Sequence, residues 1–246
     1  MTSALFEAQI WNRSIHHGHL VRWDMQANIV GNPDFGSLHV TLDPGEEIWA
    51  ESGAMSRMSG HMRVKPKVLG SLPGALLRRM VAGESVMVGR YQGEQTGDFV
   101  SFSPGLPGTV MQHTLNGPND RFFMTAGAFL ACTPGIKLKL KFGGLRSFFS
   151  SEGVVMLVAR GAGTVWYNGY GACVEKQLDG VQPLVVDTGH VVAWEPTLDY
   201  KIKGSGGLKA TLFSGEGLTM HFHGAGKIVV QTRTPPGLAS WLPFRM

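Results

Sequence analysis

The chain has 246 residues, 43% of them apolar and 16% charged. That balance excludes a disordered chain and allows one large all-β domain or two ordinary domains around a sizeable core. Glycine is abundant, at 34 residues, but has no Gly-X-Y period, which excludes collagen and predicts many tight turns. The formal charge of +4 permits an anionic partner without demanding one.

Residues 1–24, "MTSALFEAQIWNRSIHHGHLVRWD", have no counterpart further on and are expected to be a flexible N-terminal extension. They carry neither a basic n-region nor a long apolar run, so no secretory leader is expected. His16, His17 and His19 within them are assigned no function. The longest strong apolar run, Val154–Ala159, is too short to cross a bilayer. Cys132 and Cys173 form no CxxC pair and no zinc spacing, which points to reduced thiols and a cytoplasmic protein.

From Met25 onward the sequence repeats itself. Gly53, Gly127 and Gly189 anchor three copies. A large apolar residue precedes each anchor (Trp49, Phe123, Val185), and others follow it (Met55, Phe129, Val191; then Met58, Cys132, Trp194). A turn residue comes next (Gly60, Pro134, Pro196), and then a pair of alternating lysines: Lys65 and Lys67, Lys139 and Lys141, Lys201 and Lys203. Later in each copy an acid beside glycine closes a short apolar segment: Glu84, Glu152 and Glu216. A strand-like run follows: "VMVGRYQG", "VVMLVARG" and "LTMHFHG". Period-2 alternation, β-branched enrichment and Gly/Pro turn clusters predict short strands throughout. Only "PGALLRRMV", opened by Pro73, reads as helix. The resulting expectation is an all-β protein of three tandem β-sandwich or short double-stranded β-helix units about a pseudo-threefold axis. The units span residues 25–104, 105–171 and 172–234, with a C-terminal tail at 235–246.

The blocks "VTLDPGEEIWAESGAM", "TAGAFLACTPGIKLKLK", "SSEGVVMLVARGAG", "DTGHVVAWEPTLDYKIK" and "SGEGLTMHFHGAGKIVVQTR" resemble the altered-inheritance-of-mitochondria protein 24 family, over roughly Met25 to Arg233. The resemblance implies units folded like the tryptophan RNA-binding attenuation protein, and trimers holding nine units. It also implies eukaryotic relatives linked to organisation of the mitochondrial inner membrane. It supplies no catalytic residues.

The lysines are the main candidate site. Residues two apart on a strand share a face, so each pair forms a basic edge, which Arg63 and Lys137 extend in two copies and Asp199 interrupts in the third. Such edges fit phosphates of single-stranded nucleic acid or acidic lipid heads. They equally fit lysines that guard exposed strands against aggregation. Glu84, Glu152 and Glu216 read as turn-capping or lysine-pairing acids rather than cation ligands. His221 and His223 have the HxH spacing of metal ligands but lack a downstream partner, so no metal site and no cofactor is assigned. The glycine-rich triplets follow no phosphate-loop spacing, and Ser150–Ser151 has no neighbouring His–Asp pair. The apolar tail "PPGLASWLPF" reads as docking on the core, with a partner or membrane contact as the alternative. The functional expectation is a non-catalytic oligomeric scaffold, a homotrimer with a protein or membrane-surface partner. The alternatives are a single-stranded nucleic-acid binder and an enzyme whose site lies between subunits.

Overall fold

The structure is a computed structural model, and it describes residues 12–16, 19–23, 25–68, 87–142, 155–204 and 218–241. The protein is mostly β. Its strands in chain order are β1 (Asn12–His16), β2 (His19–Trp23), β3 (Gln26–Val30), β4 (Ser37–Leu42), β5 (Glu47–Glu51), β6 (Met55–Met58), β7 (Arg63–Val68), β8 (Met87–Gln92), β9 (Asp98–Phe102), β10 (Gly108–Thr125), β11 (Phe129–Cys132), β12 (Ile136–Phe142), β13 (Val155–Tyr170), β14 (Cys173–Asp179), β15 (Leu184–Asp187), β16 (Val191–Trp194), β17 (Asp199–Gly204), β18 (Leu218–His223) and β19 (Ala225–Gln231). A short helix, α1 (Pro235–Trp241), follows. Among the described residues no helix is long and apolar enough to cross a membrane.

Two ladder orders recur along the chain. β4–β9–β6 and β5–β8–β7 come from its first part. The first half of β10, the second half of β13 and β11 form a matching ladder, as do the second half of β10, the first half of β13 and β12. β14–β19–β16 and β15–β18–β17 come from the last part. The alternation anticipated from the sequence is present: in β4, Leu38, Val40 and Leu42 are buried while Ser37, His39 and Thr41 face outward or are half-buried.

Neighbouring ladders then merge. β11 pairs with β5 through Ala131 opposite Ala50 and Cys132 opposite Trp49. β16 pairs with β10 through Trp194 opposite Phe123 and Ala193 opposite Met124. In the ten-stranded sheet that results, β10 and β13 run through both parts. Gly161 sits in β13 at φ +119°, and a side chain there would meet the Gly135 carbonyl, so only glycine fits this position. No ladder among the described residues joins β15 to β6.

Three apolar cores lie between the layers. One holds Leu38, Ile48, Phe102 and Trp166, the next Met124, Phe129, Leu157 and Tyr167, and the third Trp194, Met220, Phe222 and Ile228. Trp194 stacks on Phe123 at 5.6 Å and meets Tyr200 and Phe222 edge-on.

Within residues 1–24, β1 and β2 form an antiparallel hairpin. In the described part of the tail, α1 has no buried residue, and Trp241 is 80% exposed. The helix at "PGALLRRMV" and Glu84, Glu152 and Glu216 lie outside the described residues.

Candidate cationic face

The lysine strands β7, β12 and β17 occupy one structural role. Among the described residues each is an outer strand that pairs on one side only, with β8, β13 and β18 respectively. The registers match. Lys65, Lys139 and Lys201 stand opposite Arg90, Val158 and His221, and Lys67, Lys141 and Lys203 stand opposite Val88, Met156 and Thr219. Lys65, Lys139, Lys141, Lys201 and Lys203 are exposed. The anchors share a place as well, because Gly53, Gly127 and Gly189 each lie in the turn between two successive strands. Gly53 has φ +92°, whereas Gly127 and Gly189 sit in single 3-10 turns, the latter held by Asp187 accepting from the Gly189 amide at 2.7 Å.

The surroundings of the lysines differ. Near β7, Arg63 pairs with Glu94 at 2.9 Å, and Arg90 forms a hydrogen-bonded ion pair with Glu47. The hydrogen bond to Glu47 holds the Arg90 guanidinium above its ordinary pKa. Lys141 caps an aromatic cluster, its Nζ 5.4 Å from the ring centres of Phe123 and of Tyr200. Lys203 and His223 both lower the pKa of His221, after desolvation, and its ring Nε2 lies 3.3 Å from the Thr219 hydroxyl. His221 and His223 share a face as expected. However, with Lys201 directly across the ladder, the surroundings suit an anion better than a metal ion.

Two basic residues were not legible as partners in the sequence. Arg121 on β10 and Lys137 on β12 both stand directly opposite Arg160 on β13, so all three share one face. Like charges directly opposed across a ladder are destabilising. None of them has an acidic partner among the described residues, and the Arg160 Nε is buried without a hydrogen-bond partner. The equivalent row near β7 reads Glu47, Gln92, Arg63, and the one near β17 pairs His223 with Asp199.

Other titratable groups belong to the packing. Burial raises the Glu51 carboxyl to about 7, and burial likewise pushes the Cys173 thiol up to about 11, which makes it a poor nucleophile. Cys132 is buried, and neither cysteine forms a disulfide. Among the described residues no group of three or more His, Cys, Asp or Glu side chains is arranged to hold a metal ion.

The architecture and the cationic face define a β protein of stacked, merged sheets. The chain belongs to the mitochondrial biogenesis AIM24 family, whose model matches residues 27–233. It is 27% identical over 216 residues to an uncharacterised protein of Streptococcus pyogenes serotype M6, covering 85% of this chain and 86% of that one. A crystal structure of a Streptococcus pyogenes protein superposes with a TM-score of 0.72 at 27% identity, covering 89% of this chain and 98% of the other.

Proposed function

We propose that the protein is a non-catalytic scaffold of three copies of one six-stranded unit, and that chains join head to tail through the edges of β6 and β15. One observation carries this reading. Twice within the chain the second strand of one unit pairs with the third strand of the next, β5 with β11 and β10 with β16. The two strands left over for that pairing are β15 and β6, each an open edge of its sheet. The four-stranded sheet β3–β4–β9–β6 and the three-stranded sheet β15–β18–β17 are therefore complementary halves of a composite sheet. Met55 and Val185 on these edges, and Phe99 beside β6, are 38%, 52% and 42% exposed. Exposed apolar residues on unpaired strands are a liability that a partner strand removes. Because the two edges differ, the contact is heterologous and builds a ring when the rotation closes. The trimer implied by family resemblance closes it after three chains, with the threefold axis between chains.

The internal junctions give the register: Met58 opposite Val185, and Arg57 opposite Val186, of a second copy. Mixing a Met58→Cys chain with a Val185→Cys chain, each with Cys132 and Cys173 replaced by alanine, should give a disulfide-linked dimer under mild oxidation. Directly opposed strand residues lie at Cα separations of about 4.5–5.5 Å, within disulfide reach. Neither chain alone should cross-link in the same register. A strictly monomeric protein in light scattering, with no heterologous cross-link, would falsify the proposal.

The common register of Lys65, Lys139 and Lys201 supports a second reading, in which the joined units present lysines periodically to single-stranded RNA. Its test is salt-sensitive binding of a random RNA pool that disappears when the six edge lysines are changed to glutamate in a chain that still assembles.

A further inference from the structure

We propose that the row Arg121, Arg160 and Lys137 in the middle of the chain is a binding site for a phosphate-type dianion, either free phosphate or a phosphomonoester headgroup. The three side chains stand on adjacent strands β10, β13 and β12 in one register and project from one face. The opposite face of the same strands, carrying Phe122, Ala159 and Leu138, is buried in the core, so the row is fixed on a rigid platform. Adjacent strands lie about 4.8 Å apart, so two guanidinium forks and an ammonium can converge on one tetrahedral group. Lys139, two residues along β12 on the same face, adds a fourth cation beside them.

The arrangement is costly for the protein alone. Like charges directly opposed in a sheet are destabilising, and the Arg160 Nε is buried without a hydrogen-bond acceptor. Elsewhere the fold neutralises the same kind of feature: Glu47 and Glu94 hold Arg90 and Arg63, and Asp199 stands opposite His223. Only the middle row among these three carries cations alone, so strand-edge protection, which applies equally to all three, does not account for it. Arginine forks match the paired oxygens of phosphate better than they match a spherical chloride ion or a lone carbonyl oxygen. The inference does not depend on how chains assemble, because all three residues belong to one chain.

The test uses the full-length chain and inorganic phosphate. Calorimetric titration in potassium chloride buffer at constant ionic strength should show saturable binding of one phosphate per chain. Arg160→Gln should weaken it at least tenfold. Arg121→Gln, an exposed change that leaves the buried Nε in place, should weaken it severalfold and covers the case in which Arg160→Gln does not fold. Lys65→Gln and Lys201→Gln should leave it unchanged. A parallel sedimentation arm uses phosphatidylcholine vesicles with and without phosphatidic acid. Binding that needs phosphatidic acid and Arg121 assigns the headgroup as the source; phosphate binding without vesicle binding assigns the free ion. No Arg121- or Arg160-dependent binding in either arm, or equal loss with Lys65→Gln, would overturn the proposal.

Discussion

The middle of the chain and its two ends are built from the same kinds of strand in different company. In the middle, β10 and β13 run for 18 and 16 residues without a break and serve two merged sheets at once. At the ends the corresponding strands are separate and short: β4 and β5 are distinct, as are β14 and β15, and β15 and β6 have no second neighbour among the described residues. Equivalent sequence positions therefore live in unlike surroundings. Phe123 stacks on Trp194 across a junction, whereas Val185, the residue in the same place of the last copy, is half exposed. A repeated sequence thus specifies a repeated ladder, while each strand's neighbours depend on which copy it belongs to.

Changes at the internal junction should break this contrast most forcefully. Trp194→Ala removes a fully buried ring that bridges β16 to the third core, and should cost about 3–5 kcal/mol in urea denaturation. Gly161→Val places a branched side chain at φ +119° against the Gly135 carbonyl. It should cost about 2–3 kcal/mol by the same measurement, or leave the chain unfolded on expression. A glycine-tolerant bend at β13 would show itself as a loss below 1 kcal/mol on that scale.

Glu51 sharpens the comparison by pH. Its carboxyl is raised to about 7 by burial, from 4.5, so the folded state holds the proton more tightly than the unfolded chain. The protonated form costs nothing extra below about pH 4.5. Stability then falls as pH rises towards 7 and is level above it. Glu51→Gln removes the penalty, and with solvent screening should stabilise the protein by about 1–2 kcal/mol at pH 8 and hardly at all at pH 4.5. Equal gains at both pH values in thermal melts would show that the charge is not the cause.

The smallest effect on the fold is expected at the open edge. Val185→Lys should change the stability of an isolated chain by less than about 0.5 kcal/mol. Phe123→Lys, at the same place in the middle copy, should cost several-fold more, because it puts an ammonium against the buried Trp194. If the edges join chains as proposed, Val185→Lys nevertheless lowers the mass seen by light scattering.

Much of this was readable from the residues. Alternation in "KLKLK" placed Lys139 and Lys141 on one face, and the turn residues around Gly53, Gly127 and Gly189 separated the strands at the right places. Both are local signals, set by side-chain period and turn chemistry. The merging of β11 with β5 and of β16 with β10 was not readable, because the residues that meet, Ala131 with Ala50 and Trp194 with Phe123, are ordinary strand residues distant in the chain. The row of Arg121, Arg160 and Lys137 was hidden for the same reason: a cross-strand neighbour leaves no trace in local spacing. The helix α1 shows the opposite case. Leu238 and Trp241 looked like core residues by composition, yet α1 offers no buried face.

The sharing of β10 and β13 bears on how the molecule comes apart. Copies of a unit strung along a chain usually melt piecemeal when each needs only its neighbour. Here a single strand cannot leave one sheet without loosening another, and two of the three cores each include residues from these same two strands: Leu115 and Leu157 in one, Val110 and Trp166 in another. Opening either core raises the free energy of the next, so the chain should unfold in one step, with calorimetric and van't Hoff enthalpies that agree. A protein written as a series would then behave, on heating, as a single cooperative body.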